Sequence, residues 1–405
     1  MSHIRRRARL FLAQPFRWFI ISSLFATLGN GLAYIAMTWL ILQADNSVAA
    51  IAILMICFWL PSIILGPWAG VIVDKYSRKF IAILSTSLRA LVLILFPFIS
   101  AAHLSAFAIY CLAALMGSLM SIYNPASMAL IREIVAEKDL LYANTSLDIT
   151  YELGHVIGMG SAGFIISYFS SELAIMLNGL LFIIATLALL WMQPAQFLKT
   201  TVSQEALSAY QDLLKGAEYL VKNKLLSMLY FIQLLIMVIF MTTPILLAPF
   251  AKNILHANVI QFGQIEAALS VGIVIGGLFL PYYAERYRAP LVIAGSTIIA
   301  GICFIIFGIC RDIWLAEVIY FIIGICLASW AIVITKAQEL TDIRFQGRVQ
   351  ASFNALAGIG ILTVYLLMYY LGDKLSIIHL YIFESLIAFL AAYLTWRYLP
   401  HLKKR

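Results

Sequence analysis

The sequence contains twelve apolar runs that are each long enough to cross a lipid bilayer. A membrane-spanning helix needs about 20 predominantly apolar residues. Apolar residues make up 63% of the chain and charged residues 11%, whereas a soluble domain has about 25% charged residues. The sequence therefore predicts an all-α membrane protein with twelve transmembrane helices, at residues 17–43, 49–73, 80–101, 104–126, 141–168, 173–193, 224–250, 258–284, 289–310, 313–337, 349–371 and 377–398.

A polar stretch divides these spans into two groups of six. Within residues 194–223, apolar side chains recur at helical spacing among charged ones, which predicts an amphipathic helix on the cytoplasmic surface. We expect an N-terminal six-helix bundle at 1–193, a linker at 194–223 and a C-terminal six-helix bundle at 224–405.

The two groups of spans carry similar residues in corresponding loops. Asp74 and Lys75 follow span 2, and Glu285 and Arg286 follow span 8. The loops before spans 5 and 11 form a second, weaker pair. Internal repeats of this kind are found in many transporters, so we expect two pseudo-symmetric bundles that arose by duplication.

Basic residues concentrate on one side of the predicted membrane. Most of the 27 Lys and Arg residues fall in the two termini and in the loops that follow even-numbered spans, while the other loops carry Lys252, Arg311 and Lys374. Short loops rich in Lys and Arg face the cytoplasm, so both termini are predicted to be cytoplasmic. The net charge of +8 is then placed to contact membrane lipids, and no nucleic-acid partner is expected.

The loop after span 2 contains the most specific pattern in the chain. It starts at Gly70, reads GVIVDKYSRK and fits GxxxD[RK]x[GS][RK][RK]. Gly70 permits close helix approach, and Asp74 can cap a neighbouring helix or pair with a base. Lys75, Arg78 and Lys79 can pair with acids at the ends of other helices. Membrane anchoring by positive charge would explain the bases but neither Gly70 nor Asp74.

This run resembles the signature motif of the major facilitator superfamily of transporters. The sequences GNG at 29–31, NPA at 124–126 and ALIRE at 129–133 resemble those of its bacterial exporter branch, which includes the enterobactin exporter and the macrolide efflux proteins. The resemblance implies a bacterial cytoplasmic (inner) membrane protein, monomeric, whose two bundles expose a central site to each side of the membrane in turn.

The resemblance also implies a gate on the cytoplasmic side. Glu339 and Asp342 are candidate partners for its bases. The chain departs from the branch at two positions. The branch often has Asp at the position of Asn30, and its glycine-rich exporter motif in span 5 usually has Pro at the position of Met159. The glycines of span 5 still allow close helix packing. The predicted gate residues are Gly70, Asp74, Lys75, Arg78, Lys79 and Arg132.

In the superfamily, the substrate binds between the two bundles. By this resemblance, seven polar, aromatic or sulfur-containing side chains line the site, and ordinary helix packing is the alternative for each of them. Aromatic residues and methionines suit a pocket for bulky amphipathic molecules. The predicted lining residues are Asn30, Tyr34, Tyr123, Gln233, Met237, Trp330 and Asn354.

Ionisable residues inside a membrane span are candidates for function, because a buried charge is costly there. Asp148, Glu152 and His155 are spaced by four and three residues, which places them on one face of span 5. Burial favours the neutral form of a carboxyl group, so Glu152 can bind and release a proton; a structural hydrogen bond is the alternative. Glu266 is a further candidate for proton coupling in span 8.

The remaining ionisable residues of the spans are expected to have structural roles. Glu317 and Glu384 are expected near the outer ends of their spans or in packing contacts, and Arg89 is expected to snorkel or to pair.

These features favour a secondary active transporter. The leading hypothesis is proton-coupled export of a small amphipathic molecule, such as a siderophore or a drug; translocation of a lysophospholipid or another lipid, and uptake of a nutrient, remain alternatives. The sequence has no GxxxxGK[ST] loop and no HExxH or Cys/His metal cluster. An enzyme, an ATP-driven pump, a cofactor and a bound metal are therefore not expected.

Overall fold

The computed structural model describes residues 10–99, 105–136, 139–193, 206–342 and 345–398. The regular elements of these residues are helices. Their bounds are α1 Gln14–Ala44, α2 Val48–Lys75, α3 Arg78–Ile99, α4 Ala106–Ile134, α5 Leu140–Tyr168, α6 Ser171–Trp191, α7 Ala206–Lys222, α8 Lys224–Asn253, α9 Val259–Tyr287, α10 Ala289–Ile309, α11 Ile313–Leu327, α12 Trp330–Leu340, α13 Gln346–Leu371 and α14 Ile377–Tyr398.

The predicted all-α fold with twelve spans is confirmed. Eleven segments are long and apolar enough to cross a membrane, with α11 and α12 together counted as one of them. The twelfth is α5, a helix of 29 residues whose hydropathy is lowered by Asp148, Glu152 and His155. The remaining helix, α7, lies in the predicted linker.

Span 10 is present as the apolar segment Ile313–Leu340, but two helices form it rather than one. The segment is divided into α11 and α12 by a turn at Ala328 and Ser329. The turn is hydrogen-bonded, since the backbone N–H of Ala328 donates to the carbonyl of Gly324 and that of Ser329 to the carbonyl of Cys326. The residues on both sides of the turn are apolar, so hydropathy gave no sign of the break.

Helix α3 illustrates how the spans meet lipid on one side and protein on the other. One face buries small and polar side chains, including Ser85 and Thr86. The opposite face exposes large apolar side chains at intervals of three or four residues. Exposed apolar surface on this scale indicates contact with lipid rather than water. The exposed side chains are Phe80, Leu84, Leu88, Leu91, Leu95 and Phe98.

The chain forms two compact units. The first contains Met1–Asp45 and Leu54–Gln204, and the second contains Asn46–Ile53 and Glu205–Arg405. The division at Gln204 falls inside the predicted linker, while the first residues of α2 belong to the second unit.

In the first unit, α1 packs along α5 and α6. The approach of α1 to α5 depends on glycine, as predicted. A Cβ atom at Gly158 would lie 2.2 Å from the carbonyl oxygen of Leu28, and one at Gly31 would lie 3.0 Å from the carbonyl oxygen of His155. The two backbones therefore touch without intervening side chains.

In the second unit, α10 packs along α14, α9 along α11, and α7 against α13. The linker helix α7 is thus held by protein contacts. The rings of Tyr219 and Phe345 stack with centroids 4.7 Å apart, and a Cβ atom at Gly216 would lie 2.3 Å from the carbonyl oxygen of Arg348.

The start of α2 is held by an acidic residue of the same unit. The Asp373 carboxylate accepts hydrogen bonds from the backbone N–H groups of Val48 at 2.9 Å and Ala49 at 3.3 Å. These are two of the N–H groups that a helix leaves without a partner in its own first turn. A negative charge at this end also interacts favourably with the helix dipole.

Candidate functional site

The signature motif spans the junction of α2 and α3 in the first unit. Gly70 and Asp74 lie in the last turns of α2, and the surroundings of Gly70 and the side chain of Asp74 fall outside the described part of the structure. Lys75 ends α2 and is exposed, and Arg78 begins α3.

Arg78 joins the start of α3 to the end of α4. Its guanidinium Nη1 forms an ion pair with the carboxylate Oε1 of Glu133, and the two side chains are only 16% and 21% exposed. Such partial burial makes the pair stronger than a fully solvated one. Arg132, the other predicted gate residue on α4, is exposed.

Lys79 caps the end of another helix. Its ammonium Nζ donates hydrogen bonds to the backbone carbonyls of Leu190 and Met192, at the C-terminal end of α6. A cation there interacts favourably with the helix dipole. The motif bases thus connect the ends of α3, α4 and α6 within the first unit. Pairing of these bases with Glu339 or Asp342 stays a prediction; Glu339 forms an ion pair with Lys336 at 2.7 Å.

The acidic residues of span 5 lie on one continuous helix. Asp148 is exposed, and Glu152 and His155 are half-buried. Their spacing places them on one helical face. Within the described residues, neither carboxylate forms a hydrogen bond or an ion pair. The carboxyl group of Glu152 therefore lies within a spanning helix, and no described residue neutralises its charge.

The predicted lining residues of the first unit are partly or almost completely buried. Asn30 and Tyr34 of α1 are half-buried, and Tyr123 of α4 is 6% exposed. Arg89 of α3 lies near Tyr123 and interacts with it electrostatically. Arg89 does not snorkel, because it is fully buried among α3, α4 and α6.

Arg89 is held by two contacts. Its guanidinium Nη2 donates to the backbone carbonyl of Met116 at 3.3 Å, and its guanidinium carbon lies 4.9 Å from the ring centroid of Phe182. The second contact is a cation–π interaction, which gains strength when it is desolvated.

The predicted lining residues of the second unit differ in burial. Gln233 is 3% exposed and Met237 is half-buried, and both lie on one face of α8. Trp330 begins α12 and is 47% exposed. Asn354 of α13 is exposed, and its amide oxygen accepts a hydrogen bond from Gln350 Nε2 at 2.9 Å.

Two acids of the second unit are almost completely buried. Glu266 of α9 is 2% exposed and Glu384 of α14 is 0% exposed. The hydroxyl oxygen of Thr242 on α8 lies 2.6 Å from Glu384 Oε1, within hydrogen-bond distance. From the sequence, Glu384 was expected near the outer end of its span or in a packing contact, with no role in coupling. The signal that could have identified it is the one used for Glu152: a single acid within an apolar run.

A helical chain with twelve spans and polar groups buried inside each unit is a polytopic membrane protein of the transporter class. The Major Facilitator Superfamily model matches residues 19–364 and 229–405. The chain therefore belongs to the major facilitator superfamily, as its signature motif predicted.

Three curated relatives are similar to the chain at low identity. The uncharacterized MFS-type transporter YfiS of Bacillus subtilis (strain 168) is 27% identical over 51% of this chain, and the match spans about half (49%) of its length. The staphyloferrin A transporter of Staphylococcus aureus (strain NCTC 8325 / PS 47) is 23% identical over 72% of this chain and 77% of its own. The multidrug efflux pump Tap of Mycolicibacterium fortuitum is 24% identical over 85% of both chains.

Solved transporter structures share the fold. The nucleoside transporter NupG has a TM-score of 0.72 at 14% sequence identity, over 96% of this chain and 99% of that chain. At this identity the likeness concerns the fold alone.

Proposed function

We propose that the chain is a secondary active transporter that exports a small amphipathic molecule, such as a siderophore or a drug, in exchange for protons. It works by alternating access in a bacterial cytoplasmic membrane, as a monomer with both termini in the cytoplasm. Membership of the superfamily supports the transport mechanism. The siderophore transporter and the multidrug pump among its relatives support the substrate class.

The half-buried Glu152 is the observation that carries the coupling step. A carboxylate within a spanning helix is costly when charged, and Glu152 has no hydrogen-bond or ion-pair partner among the described residues. Protonation would remove the charge and with it much of this cost. Glu152 is thus suited to bind a proton on one side of the membrane and release it on the other, with Asp148, His155 and Glu266 as further coupling candidates.

The remaining predicted residues have roles in gating and binding. The ion pair of Arg78 with Glu133 and the cap made by Lys79 hold the ends of three helices of the first unit together. These bases, with Gly70, Asp74, Lys75 and Arg132, would form the cytoplasmic gate. The polar and aromatic side chains of α1, α4, α8, α12 and α13 would then contact the substrate.

The test is transport into proteoliposomes that have an acidic lumen. Ethidium serves as the amphipathic drug and staphyloferrin A as the siderophore. A gradient of one pH unit is worth about 1.4 kcal/mol per proton, so one-for-one exchange supports up to about tenfold accumulation. We expect accumulation of at least one probe by the wild type and its loss in Glu152→Gln.

The matched control is Glu172→Gln, which removes a half-buried acid at the start of α6 in the same unit. This variant should accumulate the probe as the wild type does. Transport that ignores the pH gradient, or normal accumulation by Glu152→Gln, would contradict proton exchange through Glu152. Transport of lysophospholipid but of neither probe would contradict the proposed substrate class.

A further inference from the structure

The carboxyl group of Glu384 is the most deeply buried acid in the described part of the chain. Glu384 is the eighth residue of α14 and lies about 10 Å along the helix axis from the first residue of that helix. Its side chain is 0% exposed. One oxygen, Oε1, lies 2.6 Å from the hydroxyl of Thr242 on α8. The other oxygen, Oε2, is buried without a hydrogen-bond partner among the described residues.

Aromatic rings and a second acid surround this carboxyl group. The Tyr381 ring on the preceding turn of α14 packs against Phe250 and Phe307, with centroids 5.2 and 5.1 Å away. The hydroxyls of Tyr320 and Tyr381 lie 3.4 Å apart. Glu384 and Glu266 both lie within electrostatic range of these two tyrosines. No ion pair formed within the described residues includes Glu384.

A charged carboxylate in this environment would be very unfavourable. Removing an ionised carboxylate from water costs several kcal/mol, even after the protein relaxes, unless an opposite charge or several hydrogen bonds replace the water. Among the described residues, Glu384 has one hydrogen-bond partner and a second acid, Glu266, in the same region. Both conditions favour the neutral, protonated carboxyl group.

The hydrogen bonds of Thr242 fit a protonated carboxyl group. The Thr242 oxygen also lies 2.9 Å from the backbone carbonyl of Val238, but its hydroxyl has one hydrogen to donate. If Glu384 carries a proton, its O–H donates to the Thr242 oxygen, and the Thr242 hydroxyl donates onward to Val238. Both hydrogens then have an acceptor. If Glu384 is charged, Oε1 competes with the Val238 carbonyl for one hydrogen, and Oε2 bears negative charge without a donor, which costs more than a neutral oxygen without one.

The first unit has a neutral side chain at the corresponding place in its last helix. Asn178 is the eighth residue of α6 and is also 0% exposed. A Cβ atom at Gly29 of α1 would lie 2.2 Å from its amide oxygen, so this side chain faces the first helix of its unit. In the same way Glu384 faces α8, the first spanning helix of the second unit. The acid is therefore specific to the second unit.

We propose that Glu384 is a proton-binding site of the second unit, protonated in the conformation described here and able to release its proton to water in another conformation of the transport cycle. In the release step the O–H bond of the carboxyl group breaks, the proton passes to a water molecule and the carboxylate keeps the electron pair. This step rests on the proposed proton coupling, whereas binding of the proton does not.

The test is infrared spectroscopy of the purified full-length chain in lipid nanodiscs while the pH is raised stepwise. A protonated carboxyl group has a C=O stretching band that is separate from the bands of carboxylates. Other protonated acids, such as Glu266, contribute to the same spectral region, so the Glu384 band is taken from the difference between the wild type and Glu384→Gln. We expect this difference to have the intensity of one carboxyl group per chain and to disappear as the pH rises.

Two further variants make the assignment specific. Glu317→Gln removes a half-buried acid of α11 in the same unit and should keep the band. Glu384→Asp keeps a carboxyl group and should shift the band rather than abolish it, so the assignment can be made even if Glu384→Gln does not fold.

Two results would overturn the proposal. If Glu384→Gln keeps the full band, Glu384 is charged and holds no proton. If the wild-type band persists at every pH at which the protein is folded, the carboxyl group is a permanently neutral packing group that releases nothing. The measurement needs neither a substrate nor a gradient, so a failure of proton-driven export in vesicles is distinguishable from a failure of this proposal.

Discussion

The contact between α1 and α5 makes a quantitative prediction for Gly158→Ala. The new methyl carbon would lie 2.2 Å from the carbonyl oxygen of Leu28 and 3.1 Å from the backbone nitrogen of Leu32. Ordinary contact begins at 3.4 Å, so the two helices would have to separate locally by about 1 Å. Both clashing atoms belong to the backbone, and no change of side-chain rotamer can relieve the clash.

The expected cost can be separated from the effect of alanine on the helix itself. Overpacking of a tightly packed interior typically costs about 1–3 kcal/mol, while alanine is better than glycine in a helix by about 1 kcal/mol. Gly295→Ala in α10 is the matched control, because a Cβ atom there has no neighbour within 4 Å. Both variants gain the same helix propensity, so the difference between them gives the overpacking cost, about 1–3 kcal/mol.

Thermal unfolding of the purified proteins in one detergent measures this difference. The eight tryptophans of the chain provide an intrinsic fluorescence signal. We expect Gly158→Ala to unfold at a lower temperature than the wild type and Gly295→Ala at the same or a higher temperature. Equal unfolding temperatures for the two variants would refute the inference that α1 and α5 are in backbone contact.

Two further variants test contacts at helix ends by the same measurement. Glu133→Ala should destabilise the protein by about 1 kcal/mol, because it removes a partly buried ion pair with Arg78. Glu218→Ala breaks an exposed pair and should have no measurable effect; equal effects of the two variants would contradict the role of burial. Asp373→Ala should lower the stability of the protein by about 1 kcal/mol, because the cap at the start of α2 is lost, and Asp373→Asn should be closer to the wild type. An unchanged unfolding temperature for Asp373→Ala would show that water replaces the cap.

Sequence alone was sufficient for the spans because hydropathy is a local property. Each span shows its length and composition without knowledge of its neighbours, and even α5, with Asp148 and Glu152 in its polar face, was identified as a span. The turn at Ala328 and Ser329 was missed for the same reason. Its two residues are small and those around them are apolar, and the break depends on backbone geometry that composition does not record.

The partners of the motif bases were beyond sequence analysis. Arg78 and Glu133 are 55 positions apart, and their pairing depends on how the start of α3 meets the end of α4. The motif indicates that the bases of this loop form ion pairs with acids. From the sequence, however, several acids at helix ends are equally suitable partners. Glu339 and Asp342 were the predicted partners, whereas the observed partner of Arg78 is Glu133, which lies next to the predicted gate residue Arg132.

The buried ionisable groups of the two units have opposite sign. The first unit buries Arg89, whose contacts are a backbone carbonyl and the Phe182 ring, and the second buries Glu384, whose partner is a hydroxyl. Neither group forms an ion pair within the described residues, and an apolar side chain of similar size would avoid the cost of desolvation. Stability therefore does not account for either residue. Glu384 can lose its charge by binding a proton, and this argues for the proton-binding role proposed above.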